Sequence, residues 1–229
     1  PVRWEVWNEP TLANFWPPAA DPNQYAALAQ ETIERLHQGD PEAIVSTAGL
    51  SGFAYDFLRA YLNTGCCSQA DAIGIHPYGV PTPEMVADYV LKMRPIVQQF
   101  IPADPPAWDT EWGYSSAAYG DGHSAEARFR QAVFVTRELL SAWVVDYPVM
   151  VYYDIRDDGT DPNDYEHNFG LLANDYRDKP AMTAVRTLKQ VLQGRVLYGA
   201  PLTQPTTLHA LRFDGVQDRV VALWSDSPG

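Results

Sequence analysis

The chain has little of what usually holds a metal site or a small disulfide-rich domain together. Only two of its 229 residues are cysteine, and they are adjacent, at Cys66 and Cys67. Neighbouring cysteines rarely bridge each other, and no second pair exists to complete a zinc site. The acidic residues between positions 157 and 166 lack the ligand spacing of a calcium loop and predict a solvated or substrate-facing loop. We therefore expect neither a disulfide nor a bound metal.

Basic residues and long apolar runs are also scarce. Lys and Arg total 16 against 29 Asp and Glu, which gives a net charge of −13. This balance argues against a nucleic-acid partner, which would require a basic stripe. No run of about 18 apolar residues occurs, so we expect no membrane span. The sequence has no glycine-rich phosphate loop and no nucleophile-elbow motif, and the chemistry suggested below needs no cofactor.

The start of the chain leaves its localisation open between secreted and cytoplasmic. The first residue is not Met and leads directly into a predicted strand. We interpret the sequence as a fragment or a processed piece, from which a signal peptide would already be missing.

Apolar patterns alternate between short strands and longer helices over residues 1–194. Strands are predicted at 2–8, 43–50, 70–76, 106–111 and 149–155, and helices at 21–39, 53–64, 82–100, 124–145 and 180–192. Such alternation predicts a parallel α/β sheet with right-handed crossovers. Pro95 predicts a kink or break in the third helix.

The pattern changes near residues 194–205. Two short strands are predicted beyond this point, at 207–213 and 219–224, around an Asp-Gly turn. We therefore predict two domains, 1–194 with the strand-helix units and 195–229 as the start of a C-terminal β module.

Two of the predicted strands end in a glutamate. Residues 4–10 read Trp-Glu-Val-Trp-Asn-Glu-Pro and residues 108–114 read Trp-Asp-Thr-Glu-Trp-Gly-Tyr, which places Glu9 and Glu111 at strand ends. Catalytic residues of strand-helix folds gather where the strands end. In retaining glycoside hydrolysis one carboxyl group protonates the leaving oxygen, and a second, about 5–5.5 Å away, attacks the sugar. The two glutamates fit these roles. Glu5, inside the first strand and two residues from Arg3, is interpreted as structural.

The residues around these glutamates resemble a known group. Residues 7–10, Trp-Asn-Glu-Pro, look like the acid/base motif of clan A retaining glycoside hydrolases, and residues 76–78, His-Pro-Tyr, match their sixth-strand motif. Residues 152–159, 167–172 and 179–181 are similar to the eighth-strand region of family 39 and its cellulase-like relatives. The resemblance implies a (β/α)8 TIM barrel, N-terminally truncated, with only strands four to eight present.

The resemblance also implies the catalytic roles. Glu111 is the nucleophile, held by a hydrogen bond from Tyr78. Glu9 is the acid and later the base, and we expect it to be protonated at rest because burial and the charge of Glu111 both favour the neutral acid.

Four further residues are predicted to contact the sugar. Asn8 is expected to hydrogen-bond the 2-hydroxyl group, and His76 other hydroxyl groups. Trp112 and Tyr153 are candidate stacking platforms. The relatives usually end the eighth strand in a Trp, and Tyr153 stands in the corresponding place here.

Three functions are compatible with these motifs. The first is a retaining β-glycosidase that acts on an oligo- or polysaccharide. The second is a truncated, inactive barrel that only binds carbohydrate, and the third is half of an enzyme that another chain completes. Because five strands cannot close an eight-stranded barrel, we expect a homo-oligomer or a complementing chain. The sugar, the linkage and the choice between exo and endo action cannot be read from the sequence.

Overall fold

The computed structural model describes residues 1–145, 147–199 and 208–225. Its helices are α1 (Pro22–Gly39), α2 (Tyr55–Leu62), α3 (Met85–Phe100), α4 (Ala125–Val145) and α5 (Pro180–Leu192). Its strands are β1 (Arg3–Glu5), β2 (Ile44–Ser46), β3 (Leu50–Ser51), β4 (Ile73–His76), β5 (Ala107–Trp112), β6 (Met150–Tyr152), β7 (Val196–Leu197), β8 (Leu208–Asp214) and β9 (Arg219–Ser225).

The chain divides into two compact units. The first contains Pro1–Pro81, Met85–Trp112 and Val145–Tyr152, and the second contains Thr82–Glu84, Gly113–Val144 and the described residues from Tyr153 onward. The predicted domain boundary at 194–205 lies partly outside the described residues and stays a prediction.

The strands of the first unit are parallel, as the alternation predicted. β1 pairs with β2, β3 with β4, β4 with β5, and β5 with β6. The predicted second strand is interrupted, because residues 47–49 lie between β2 and β3. Bridges at Ser46–Ala72 and Asn8–Gly49 continue the pairing across the interruption. One edge therefore collects the carboxyl ends of all these strands.

The sheet of the first unit is strongly curved. The Thr110 hydroxyl on β5 donates a hydrogen bond of 3.0 Å to the Glu5 carboxylate on β1. These strands are separated by the β2–β3 segment and by β4, so a flat sheet would hold their backbones about 14 Å apart. A side-chain contact over that separation requires the sheet to bend around Glu5, as the wall of a barrel does.

The helices lie where the sequence predicted them, with small differences in their bounds. α1 starts after Asp21, whose carboxylate accepts hydrogen bonds from the backbone N–H groups of Asn23 and Gln24, and Pro22 occupies its first turn. α3 continues through Pro95 to Phe100, so of the predicted kink or break the break does not occur, and the kink stays a prediction. Within the described residues, no helix is both long and apolar enough to cross a membrane.

The second unit contains an antiparallel sheet and its own apolar core. β7 pairs with β8, and β8 pairs with β9 along its whole length. The sequence predicted β8 and β9 but not the two-residue β7. The core is formed by side chains of α4, α5 and β8, namely Leu140, Leu192, Leu211 and Phe213. Packing against these helices stabilises the small sheet.

A buried ion pair lies in the second unit, and one of its members, Asp157, belongs to the loop that the sequence predicted to be solvated or substrate-facing. The Lys179 ammonium group donates 2.8 Å to Asp157 and 3.0 Å to the carbonyl of Asn168, and the side chains of the charged pair are at most 1% exposed. Burial lowers the pKa of Lys179, and the Asp157 carboxylate counteracts part of that effect. Asp157 is therefore a structural partner of Lys179, which corrects the prediction at that residue.

Replacing Lys179 with Met is expected to lower the free energy of unfolding by about 3–5 kcal/mol, because it leaves the Asp157 carboxylate buried and uncompensated. Urea denaturation at pH 7 measures the change. Adding Asp157→Asn to Lys179→Met should recover part of the loss. The matched control is Arg186→Met, which breaks the exposed pair with Asp178 and should cost about 0–1 kcal/mol. Equal losses for the two single variants would contradict the assignment.

Candidate active site

The end of β1 places Glu9 at the carboxyl edge of the sheet. The backbone N–H groups of Val6 and Glu9 donate 3.1 Å hydrogen bonds to the carbonyls of Ser46 and Gly49, so the strand pairing continues up to the glutamate. Trp7 and Glu9 have φ angles of 77° and 42°, in the left-handed region that side chains other than glycine rarely adopt. Such strain persists where the surrounding structure enforces it, and it is concentrated at functional sites.

Glu9 is in contact with the histidine that ends β4. Nδ1 of His76 lies 3.1 Å from Oε1 of Glu9. The two residues are 1% and 8% exposed, so solvent hardly screens this contact. Gly49 makes room for the ring, because a Cβ atom at this position would overlap the imidazole of His76 and the Glu5 carboxylate.

The charges around His76 hold a proton on its ring. Burial alone favours the neutral imidazole, but the nearby Glu5 carboxylate, the hydrogen-bonded Glu9 carboxylate and the charge of Glu111 outweigh it and raise the pKa of His76 to about 9. The ring is therefore cationic at neutral pH and can donate to Glu9.

The same strand end also contacts the second glutamate. The Tyr78 hydroxyl donates a 3.0 Å hydrogen bond to Oε1 of Glu111. Glu111 lies on β5, next to β4 in the sheet. The three residues 76–78 thus contact both glutamates that the sequence singled out. Glu9, His76, Tyr78 and Glu111 are brought together within one unit.

The other predicted sugar-binding residues occupy different environments. Asn8 is exposed and pairs with Gly49 through its backbone. Trp112 is 2% exposed and packs edge-on against Tyr152, with 4.9 Å between ring centroids, so it offers little surface for stacking. Tyr153 belongs to the second unit, where its ring packs edge-on against Phe169 at 5.2 Å. Sugar contacts by these residues stay predictions.

Sequence reasoning missed how Glu5 is bound. We expected a purely structural residue beside Arg3, but the Arg3 guanidinium lies over the ring of Trp108, 5.9 Å from its centroid. Glu5 instead accepts hydrogen bonds from Gly49 N–H and the Thr110 hydroxyl, and lies 3.6 Å from Nε2 of His76. A charged residue inside a strand of this motif was the available signal, but its partners come from strands distant in sequence.

The raised pKa of His76 predicts a pH-dependent stability. The unfolded ring titrates near 6.5 and the folded ring near 9. The associated stabilisation is therefore fully present below pH 6.5 and is lost as the pH rises through 9. Relative to His76→Gln, the free energy of unfolding of the unmodified chain should fall by about 3 kcal/mol between pH 6 and 9.5.

Urea denaturation over this pH range measures the difference. The matched control is His123→Gln, at an exposed histidine, whose difference from the unmodified chain should stay flat. A flat difference for His76→Gln as well would show that the ring is not held protonated.

The comparisons with known proteins agree with this architecture. The chain is similar to a family 39 glycoside hydrolase from Bacteroides cellulosilyticus, with a TM-score of 0.78 and 24% identity over 98% of this chain and 47% of that one. A monomeric β-xylosidase from Caulobacter crescentus matches with a TM-score of 0.61 and 23% identity over 91% of this chain and 46% of its own. A GH30 endoxylanase from Clostridium papyrosolvens matches with a TM-score of 0.62 and 20% identity, over 97% and 50%.

No family model matches the sequence, and no curated protein is significantly similar to it. The chain spans about half the length of the three solved structures. At identities below 25% these similarities establish the fold alone. They confirm the predicted α/β fold and the predicted likeness of that fold to family 39. Over its described residues the chain has the fold of part of a TIM barrel, as these glycoside hydrolases do, followed by an antiparallel β-sheet.

Proposed function

We propose that this chain carries the catalytic glutamates of a retaining glycoside hydrolase that cleaves β-glycosidic bonds in an oligo- or polysaccharide. The observation that carries the proposal is the double contact of residues 76–78, in which His76 faces Glu9 and Tyr78 donates to Glu111. Two strand-end carboxyl groups tied to one segment have a defined relation to each other, which a two-carboxyl mechanism requires. The glycoside hydrolases of the same fold support the proposal.

In the first step Glu111 acts as the nucleophile. Its carboxylate attacks the anomeric carbon, the bond to the leaving oxygen breaks, and the proton of Glu9 passes to that oxygen. The hydrogen bond from Tyr78 orients the Glu111 carboxylate and occupies one lone pair of Oε1, while the other oxygen is left to attack.

In the second step water releases the sugar. Glu9, now a carboxylate, takes a proton from water as the oxygen attacks the anomeric carbon, and the bond to Glu111 breaks. Both steps move one proton at Glu9, next to His76. The proton that Glu9 passes on is held by the His76–Glu9 pair, which regains a proton from water in this second step.

Hydrolysis of aryl β-glycosides, β-glucans, xylans and mannans by the 229-residue chain tests the proposal. Glu111→Ala should abolish turnover because the glycosyl-enzyme cannot form. Glu9→Ala should lower kcat/KM by about 10²–10⁴-fold, the usual contribution of an acid/base group. Azide needs no general base, so it should restore turnover of Glu9→Ala and give a β-glycosyl azide. The matched control is Glu42→Ala, at an exposed glutamate, which should remain fully active.

The outcomes separate the three functions that the sequence allows. Retention of the β-configuration in the first product, seen by proton NMR, supports the double displacement, and inversion contradicts it. Sugar binding by calorimetry without hydrolysis supports a binding role. Hydrolysis that appears only in an oligomer or with a second chain supports an assembled enzyme. The expectation of a homo-oligomer or a complementing chain stays a prediction.

Tyr78→Phe tests the orientation of the nucleophile separately. The variant removes one hydrogen bond to a charged group, worth about 1.5–3 kcal/mol, so kcat/KM should fall by about 10- to 150-fold. Steady-state kinetics measures the change, and circular dichroism should remain that of the unmodified chain. An unchanged kcat/KM would show that the hydrogen bond does not assist the attack.

A further inference from the structure

The Glu5 carboxylate lies behind the candidate acid/base, on the side of His76 away from Glu9. Its Oε1 accepts hydrogen bonds of 2.5 Å from the backbone N–H of Gly49 and 3.0 Å from the Thr110 hydroxyl. Both groups are donors, which suits an ionised carboxylate that can only accept. The side chain is 27% exposed, and these two donors hold it in one place.

His76 stands between two carboxylates. Nδ1 lies 3.1 Å from Glu9, and Nε2 lies 3.6 Å from Glu5. Nε2 is buried and forms no hydrogen bond in the described part of the chain, so Glu5 faces it as a charge. A carboxylate facing each ring nitrogen favours the imidazolium form, in which both nitrogens carry a proton. Glu5, His76 and Glu9 therefore form a continuous row of polar groups under the edge of the sheet.

We propose that Glu5 is a positioning residue of the acid/base, whose carboxylate keeps His76 doubly protonated so that Nδ1–H donates to Glu9. The role of Glu9 in this inference rests on the proposed function, whereas the effect of Glu5 on His76 does not. The charge of Glu5 strengthens the hold of the His76–Glu9 pair on its proton. That proton is the one the pair must retain for Glu9 to act as an acid.

Three carboxylates near His76 determine whether its ring is charged. Glu5 and Glu9 come from β1 and its end, and Glu111 acts from β5. The β2–β3 segment contributes Gly49, which has no side chain. Glu111 acts at longer range, because the carboxylates within 4 Å of the ring nitrogens are those of Glu5, at 3.6 Å, and Glu9, at 3.1 Å. Removing the charge of Glu5 therefore takes away one of the two direct partners of the ring.

NMR titration of the imidazole groups of the 229-residue chain tests this independently of catalysis. The His76 resonances are assigned by their loss in His76→Gln. In the unmodified chain both ring nitrogens of His76 should be protonated at pH 7, with a midpoint near pH 9. Glu5→Gln should shift the midpoint down by at least one pH unit.

Two variants control for other effects. Thr110→Val removes one hydrogen bond to Glu5 but keeps its charge, so it should shift the midpoint less than Glu5→Gln. Glu42→Gln removes an exposed charge and should shift nothing. A His76 ring that is neutral at pH 7, or one whose midpoint is the same in Glu5→Gln, would overturn the proposal.

The pH profile of kcat/KM provides the second readout. Its basic limb reports loss of the proton that the free enzyme needs. Glu5→Gln should move this limb to lower pH by about the shift seen for His76, and Glu5→Asp, which keeps the charge, should leave it nearer its original place. If Glu5 were purely structural, Glu5→Gln would lower the free energy of unfolding but would not shift the basic limb of the kcat/KM profile.

The two readouts keep the two proposals apart. A chain that hydrolyses no glycoside but shows the His76 shift in Glu5→Gln overturns the proposed function and supports the action of Glu5 on the ring. Hydrolysis with an unmoved basic limb and an unmoved His76 midpoint supports the proposed function and overturns the role of Glu5.

Discussion

The candidate site depends on the pairing of β4 between the β2–β3 segment and β5. This pairing places the end of β4 among three strand ends, where His76 faces the end of β1 and Tyr78 faces β5. Parallel pairing brings the carboxyl ends to one edge, and curvature turns the side chains at that edge toward one another. Loss of the β4 register would separate Glu9 from Glu111, although each would still end its own strand.

The close approach of His76 to its carboxylate neighbours depends on the lack of a side chain at Gly49 and on strained backbone at the end of β1. Gly49 lies where any Cβ atom would overlap the ring of His76, so the histidine and both of its carboxylate neighbours depend on that glycine. Trp7 and Glu9 adopt left-handed φ angles around Asn8 at the end of β1. The energy of that conformation, of order 1–3 kcal/mol for each residue, is offset by the backbone pairing that continues to Gly49.

Charged groups are buried in both units, with different partners. Lys179 and Asp157 are nearly inaccessible and neutralise each other, and the ammonium group also donates to the carbonyl of Asn168. His76 is equally buried but has carboxylates on both sides, so one cation is shared between two anions. A balanced pair suits a structural role. An unbalanced row, in which a proton can move without leaving the site, suits acid/base chemistry.

Local sequence determined the elements and their order. The capped start of α1 at Asp21-Pro22, the alternation of strands and helices, and the glutamates at the ends of two strands are all readable from neighbouring residues, because propensity, capping and periodicity are short-range effects. The interruption of the predicted second strand at residues 47–49 was not readable from neighbouring residues, because β2 pairs with β1 and β3 pairs with β4, and these partners are distant in sequence.

The partners of the charged groups were decided by tertiary structure alone. Alternation placed Glu5 on the same strand face as Arg3, but the curvature of the sheet brought it to Gly49, Thr110 and His76, from three other parts of the chain. The neighbours of Asp157 in the sequence are typical of a solvated loop, but in the fold its carboxylate accepts a hydrogen bond from Lys179, 22 residues further along the chain. Hydrogen bonds and charges act over a few ångströms in space, whatever the separation along the chain. The sequence therefore identified Glu9 and Glu111 as candidate catalytic residues, and only the folded sheet showed that residues 76–78 contact both.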